Sequence, residues 1–178
     1  LVSRSSSGAP GDADSLSPVM TPDGRYVAFA STASNLVPSD TNASRDVFVH
    51  DRQSGTTECV SVTPAGVPAA LGSSNTPAIS ADGRFVAFYS SATTLVPGTL
   101  FQAFQVYVRD RQLQSTERVS LDTAGAERAL DSSRPVISAD GRYVAFESRA
   151  NLTDVPGCLY GVYLRDRSLQ TTTLVSVT

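Results

Sequence analysis

His50, the only histidine in the chain, is the residue whose type most directly suggests catalysis. An imidazole base works when a nucleophile and an orienting acid lie within hydrogen-bond reach, and nothing near it in the sequence supplies that pair. His50 also stands in a slot that two similar segments fill with Arg109 and Arg165, so it reads as an ordinary strand residue. Carboxylates and arginines recur as Asp23-Gly24-Arg25, Asp82-Gly83-Arg84 and Asp140-Gly141-Arg142, and again as Asp51-Arg52, Asp110-Arg111 and Asp166-Arg167. A reaction needs its acid once, not at three equivalent places. Turn geometry and ion pairing account for the set, and no catalytic residue is assigned.

One loop has the chemistry of a hard-cation site. Asp40, Asn42 and Asp46 place three oxygen-bearing side chains within seven residues, and calcium prefers such ligands. The loop lacks the glycine and terminal glutamate of an EF-hand, and Asp and Asn are good loop formers in their own right. No metal or cofactor is therefore assigned, with calcium kept as the alternative at those three residues. Cys59 and Cys158 have neither metal-ligand nor redox spacing, and two cysteines are too few for a disulfide framework. With a whole repeat between them, they are expected to lie beyond the roughly 7 Å Cα limit of a bridge.

The elements that would position these residues come from an internal repeat. Thr21-Pro-Asp-Gly-Arg-Tyr-Val-Ala-Phe29 returns as Ser80–Phe88 and Ser138–Phe146, with the aspartates 59 and 58 residues apart. A second anchor follows each time at Val47–Arg52, Val106–Arg111 and Val162–Arg167, and a third at Val60–Val62, Val119–Leu121 and Val175–Val177. Three anchors in fixed order, three times over, point to an array or propeller. Each unit carries an apolar run, an Asp-Gly hairpin signal, an aromatic and β-branched strand, a Ser/Thr/Asn/Pro-rich loop and two further strands. Val27 and Phe29 fall on one face of the second strand, Tyr26 and Ala28 on the other. A strand apolar on both faces belongs in a sheet packed between two layers.

The Ser-x-Asp-Gly-Arg-x-Val-Ala-Phe signature resembles the TolB-type, WD-like β-propeller repeat family over nearly the whole chain. The resemblance implies an all-β fold of three four-stranded blades and an interaction platform, but no particular reaction. Copy one departs only at Thr21-Pro22, a change expected to leave the turn intact. The expected division is 1–4 as an N-terminal strand, 5–63, 64–122 and 123–178 as blades, all within one structural domain.

Composition limits the partners. Of the 178 residues, 40% are hydrophobic and 17% charged, and the formal net charge of −3 gives no electrostatic case for nucleic acid. All 14 basic residues are arginine, a planar and bidentate cation. No apolar run approaches the roughly 18 residues of a membrane span. The start at Leu1-Val2-Ser3 leads us to expect a chain processed or trimmed from a longer precursor.

Three blades are fewer than the roughly four to eight that close a propeller, so two apolar blade faces are expected to stay open. Either copies of the chain associate, as a closed oligomer or a head-to-tail filament, or the chain is part of a larger propeller. Leu1, Val2 and Ser3 match the closing strands Val60–Val62 and Leu174–Ser176, giving a thirteenth strand without a blade of its own. That strand is expected to add to another copy. The loop that is polar at Asp40–Asp46 becomes apolar in the later copies, at Leu100, Phe101 and Phe104 and at Leu159 and Tyr160. Exposed aromatic clusters mark contacts, so these residues are expected to line an interface. The expectation is a non-enzymatic module that works by protein–protein contact, placed in the periplasm, at the cell surface or secreted.

Overall fold

The structure is a computed structural model and describes residues 1–153 and 160–176. Twelve strands are formed among them: β1 (Ser15–Met20), β2 (Tyr26–Ser31), β3 (Asp46–Asp51), β4 (Thr57–Cys59), β5 (Ser74–Ile79), β6 (Phe85–Ser90), β7 (Gln105–Asp110), β8 (Ser115–Arg118), β9 (Ser132–Ile137), β10 (Tyr143–Ser148), β11 (Gly161–Asp166) and β12 (Thr171–Leu174). They make three antiparallel four-stranded sheets, β1–β4, β5–β8 and β9–β12, each in simple meander order. The chain is all-β, three propeller blades in succession.

The apolar residues on both faces of the inner strands set how the blades stack. Ala28, Val47, Val49 and Val60 of blade 1 pack with Val86, Phe88, Leu95 and Tyr107 of blade 2. The other face of blade 2, carrying Ala87, Val106, Val108 and Val119, packs with Val144, Phe146, Leu152 and Tyr163 of blade 3. The aromatic pairs Phe29–Phe48, Phe88–Tyr107 and Phe146–Tyr163 repeat with centroids 5.9, 6.0 and 6.1 Å apart.

The Asp-Gly turns are built alike. Gly24, Gly83 and Gly141 adopt φ of 69°, 73° and 74°, the left-handed region glycine reaches without penalty. Thr21 donates its hydroxyl to Asp23 and accepts from the Tyr26 amide, as Ser80 and Ser138 do in their blades. The Thr21-Pro22 departure is therefore neutral. A feature with no signal in the sequence analysis lies in the first strand of every blade. Ser17, Thr76 and Arg134 have φ of 52°, 43° and 51°, each just before a proline and each within a register shift. Proline cannot donate to a ladder, and a bulge is where a strand tolerates it.

The N-terminal segment is present as an extended arm, and its surroundings differ from expectation. Arg4 bridges Pro10, as Val62 bridges Pro68 and Leu121 bridges Glu127. Ser3 accepts from the Gly11 amide at 2.9 Å, and the Arg4 carbonyl accepts from the Thr57 hydroxyl of β4. In blade 3 the Leu121 carbonyl receives the equivalent bond from Thr172. The arm is thus the connector that enters blade 1, and the idea that it has no blade to hold it is corrected: Thr57 holds it. Leu1 itself is exposed.

Cys59 carries a free thiol that burial and the nearby Asp46 carboxylate push well above its ordinary pKa. Cys158 and Leu159 lie outside the described residues.

Candidate functional site

The repeated arginines and carboxylates form a network that holds each blade and then reaches to its neighbour. Within blades, the turn arginine pairs bidentately with the aspartate ending the third strand. Arg25 grips Asp51 at 2.9 Å, Arg84 grips Asp110 at 2.7 Å and Arg142 grips Asp166 at 2.6 Å. The guanidinium beside each carboxylate lowers its pKa, well below the usual range for Asp51 and to about 2 for Asp166.

The second arginine of each Asp-Arg pair crosses the blade junction. Arg111 of blade 2 lies over the Tyr26 ring of blade 1 at 4.5 Å and pairs with Glu58 at 2.6 Å. Arg167 of blade 3 lies over Phe85 of blade 2 at 4.4 Å and pairs with Glu117 at 2.6 Å. Each of these arginines also donates to the carbonyl of its own turn glycine, Gly83 or Gly141. Each ring also meets its own blade's arginine, Arg25 or Arg84, at 4.7 Å. The ring so held packs against the neighbour's glycine: a Cβ at Gly83 would stand 2.2 Å from Tyr26, and one at Gly141 would stand 2.1 Å from Phe85. Sequence reasoning read Asp-Gly-Arg and Asp-Arg as turns and ion pairs. It missed the junction, although the aromatic after each Asp-Gly-Arg was the available signal.

At the free face of blade 3 the apolar residues are open. Val136, Val162 and Val175 are 61, 37 and 54% exposed, whereas Val47 and Val60, the blade 1 counterparts of Val162 and Val175, are at most 1% exposed, and Val19, the counterpart of Val136, is half-buried. Tyr143, the counterpart of Tyr26 and Phe85, is 36% exposed with Arg142 over one face at 4.8 Å.

The loop residues expected to line an interface fall in two groups. Leu100 and Phe101 project outward from a loop pinned by Glu127, which accepts from the Leu100 amide, and by Arg118, which donates to Thr99. Phe104 instead packs edge-on against Tyr89 at 5.3 Å, and its amide donates to Asp131. It borders a cleft of about 330 Å³ with Tyr160, Arg134 and Glu147, in which Tyr160 donates its hydroxyl to Glu147. The structure brings Phe104 and Tyr160 together and leaves Leu100 and Phe101 apart from them.

His50 shares its role with the arginines it replaces. Its Nδ1 lies 2.9 Å from the Thr57 hydroxyl, just as Arg109 donates to Thr116 and Arg165 to Thr172. Burial, with the charge of Arg4, lowers its pKa below the ordinary imidazole value. The arginines need a further acceptor, supplied by Gln114 and Gln170, which hold φ of 55° and 56°. Blade 1 has Gly55 at that turn position.

In the calcium-like loop, Asn42 turns its amide nitrogen, a donor, to Asp46 at 2.7 Å and to the Ala69 carbonyl at 2.9 Å. Asp46 also accepts from Ser61 at 2.6 Å, and burial raises its pKa to about 6. Ser120 and Gln105 make the same link in blade 2. Asn42, Asp46 and Ser61 form a latch between loop and strand, whereas Asp40 donates its amide to the Val37 carbonyl. Among the described residues no cluster of three His, Cys, Asp or Glu is placed to hold a metal ion.

A chain of successive four-stranded blades joined in this way is a β-propeller module. Comparison with solved structures gives the type. TolB from Acinetobacter baumannii matches over 96% of this chain and 33% of its own, with 16% identity and a TM-score of 0.56. A Mycobacterium tuberculosis puromycin-hydrolyzing peptidase matches over 93% of this chain and 24% of its own, at 15% identity and a TM-score of 0.58. The acylaminoacyl peptidase of Pyrococcus horikoshii matches over 92% and 24%, at 16% and 0.53. The fold is that of a TolB-type propeller repeat, and the chain spans a quarter to a third of the length of these structures. No protein-family model and no curated protein matches the sequence.

Proposed function

We propose that this chain is a non-enzymatic propeller module that works by protein–protein contact, assembling with copies of itself through its blade faces. The observation that carries this is the apolar face of blade 3, open where its counterparts on blades 1 and 2 are buried. Burying such a face is worth about 25 cal/mol per Å² of apolar surface. Two three-blade arcs could close a six-bladed ring, while contacts that fail to close would give a filament. Leu100, Phe101 and Tyr160, with the exposed Leu1, would enlarge the contact. Such a module belongs outside the cytoplasm, in the periplasm, at the cell surface or secreted, and cell fractionation reads this directly.

Sedimentation velocity across a range of concentrations tests the proposal. A discrete dimer or a growing series of head-to-tail species supports it, and a monomer throughout contradicts it. A second reading has its own support in the greater length of the structural neighbours, two of which are peptidases. In it, the three blades are part of a larger propeller that binds a ligand or accompanies a hydrolase domain. Indefinite, nonspecific aggregation would favour that reading.

A further inference from the structure

Each described blade junction is closed by a clasp with two halves. One half is a turn glycine and an arginine, Gly83 with Arg111 or Gly141 with Arg167. The other is an aromatic ring and a glutamate on the preceding blade, Tyr26 with Glu58 or Phe85 with Glu117.

Among the described residues, blades 1 and 3 each present one half of the clasp that meets no partner half. Blade 1 presents Gly24 and Arg52. Arg52 donates to the Gly24 carbonyl at 2.8 Å, the contact that Arg111 and Arg167 make with their own glycines, so its guanidinium is already set for the ring it would cover. Arg52 is exposed, whereas Arg111 and Arg167 are partly buried. Blade 3 presents Tyr143, with Arg142 on one face of the ring. Its half differs at one position: where Glu58 and Glu117 stand, blade 3 has Thr173, exposed on β12.

We infer that the open edge of blade 3 takes the Gly24–Arg52 edge of a second copy of this chain, Arg52 stacking on Tyr143, and that Thr173 leaves this clasp without its ion pair. This rests on the self-assembly reading above and gives it a direction. The contact is heterologous, blade 3 of one copy to blade 1 of the next. The occupant is argued from continuity with the two internal junctions, since blade 1 of a copy offers the same glycine and arginine that blades 2 and 3 offer within the chain. The junction between copies is then weaker than those within the chain, because cation–π contact remains while the carboxylate is missing.

The test is a double-mutant cycle on association, read by sedimentation equilibrium, with Thr173→Glu and Arg52→Ala made singly and together. Both positions are exposed, and circular dichroism checks that the blades stay folded. Thr173→Glu is expected to tighten association about fivefold, as an exposed ion pair would. Arg52→Ala should loosen it by a similar factor, and the gain from Thr173→Glu should vanish in the Arg52→Ala background. If the wild type associates but the glutamate changes nothing, or acts equally with and without Arg52, the clasp is overturned and self-assembly stands. If neither wild type nor Thr173→Glu associates at any concentration, both are overturned.

Discussion

Gly83 and Gly55 make a matched pair for testing whether the junction clasp stabilises the fold. Their φ angles are nearly equal, 73° and 76°, so replacing either with alanine costs about 1–2 kcal/mol for a left-handed non-glycine residue. Their surroundings differ. A Cβ at Gly55 meets nothing within 4 Å, whereas one at Gly83 would stand 2.2 Å from Cδ2 of Tyr26, across the blade junction. The ring must give way, which adds an overpacking cost of about 1–3 kcal/mol and disturbs the contact with Arg111. Gly83→Ala should therefore destabilise by about 2–5 kcal/mol and Gly55→Ala by about 1–2. In a chain of this size, each kcal/mol moves the melting temperature by about 2–4 °C. Urea denaturation at matched slopes gives the comparison, and a Tyr26→Ala background should bring the two glycines level. Equal destabilisation with Tyr26 in place would refute the reasoning.

Other positions give further tests. His50→Arg places a guanidinium where blade 1 has Gly55 instead of a glutamine acceptor, and should cost about 2–3 kcal/mol. Adding Gly55→Gln should recover part of that loss, and no coupling between the two in denaturation would contradict the pairing. Asp46 has a folded pKa of about 6 against 3.8 unperturbed, so the folded state holds the proton longer. Its contribution to stability is present below about pH 4 and is lost as pH rises to 6, by about 3 kcal/mol. Asp46→Asn should remove that slope from the pH profile of the denaturation midpoint, and an unchanged slope would count against it. Phe101→Ser should weaken association without moving the denaturation midpoint, whereas Phe104→Ser should cost about 0.5–1.5 kcal/mol through its contact with Tyr89. Unchanged light scattering for Phe101→Ser would make that loop a local cap.

The repeat made the fold legible because each level of the sequence agreed with the others. Asp-Gly at the turns, apolar residues on both faces along Tyr26–Phe29 and a fixed order of anchors all specify one blade. What stayed hidden depended on distances between repeats. Arg111 and Arg167 look like turn residues until the packing of adjacent blades puts them over Tyr26 and Phe85. The arm at Leu1–Arg4 matched the closing strands in sequence, but its neighbours are set by Thr57, more than fifty residues away. His50 pairs with a threonine seven residues later, a contact visible only once β3 and β4 are in register. The exchange of Arg109 with Gln114 for His50 with Gly55 could have been noticed in the sequence, since the two positions change together between blades.

The most direct measurement of the central claim is hydroxyl-radical footprinting of the wild-type chain at increasing concentration, following Tyr143, Val136 and Val162 on the face of blade 3. Leu113, exposed at a hairpin tip, serves as the internal reference. If the face is a docking surface, oxidation of Tyr143 and the two valines falls as concentration rises while Leu113 stays constant. Oxidation of Tyr143 that holds level with Leu113 across the whole range would contradict it.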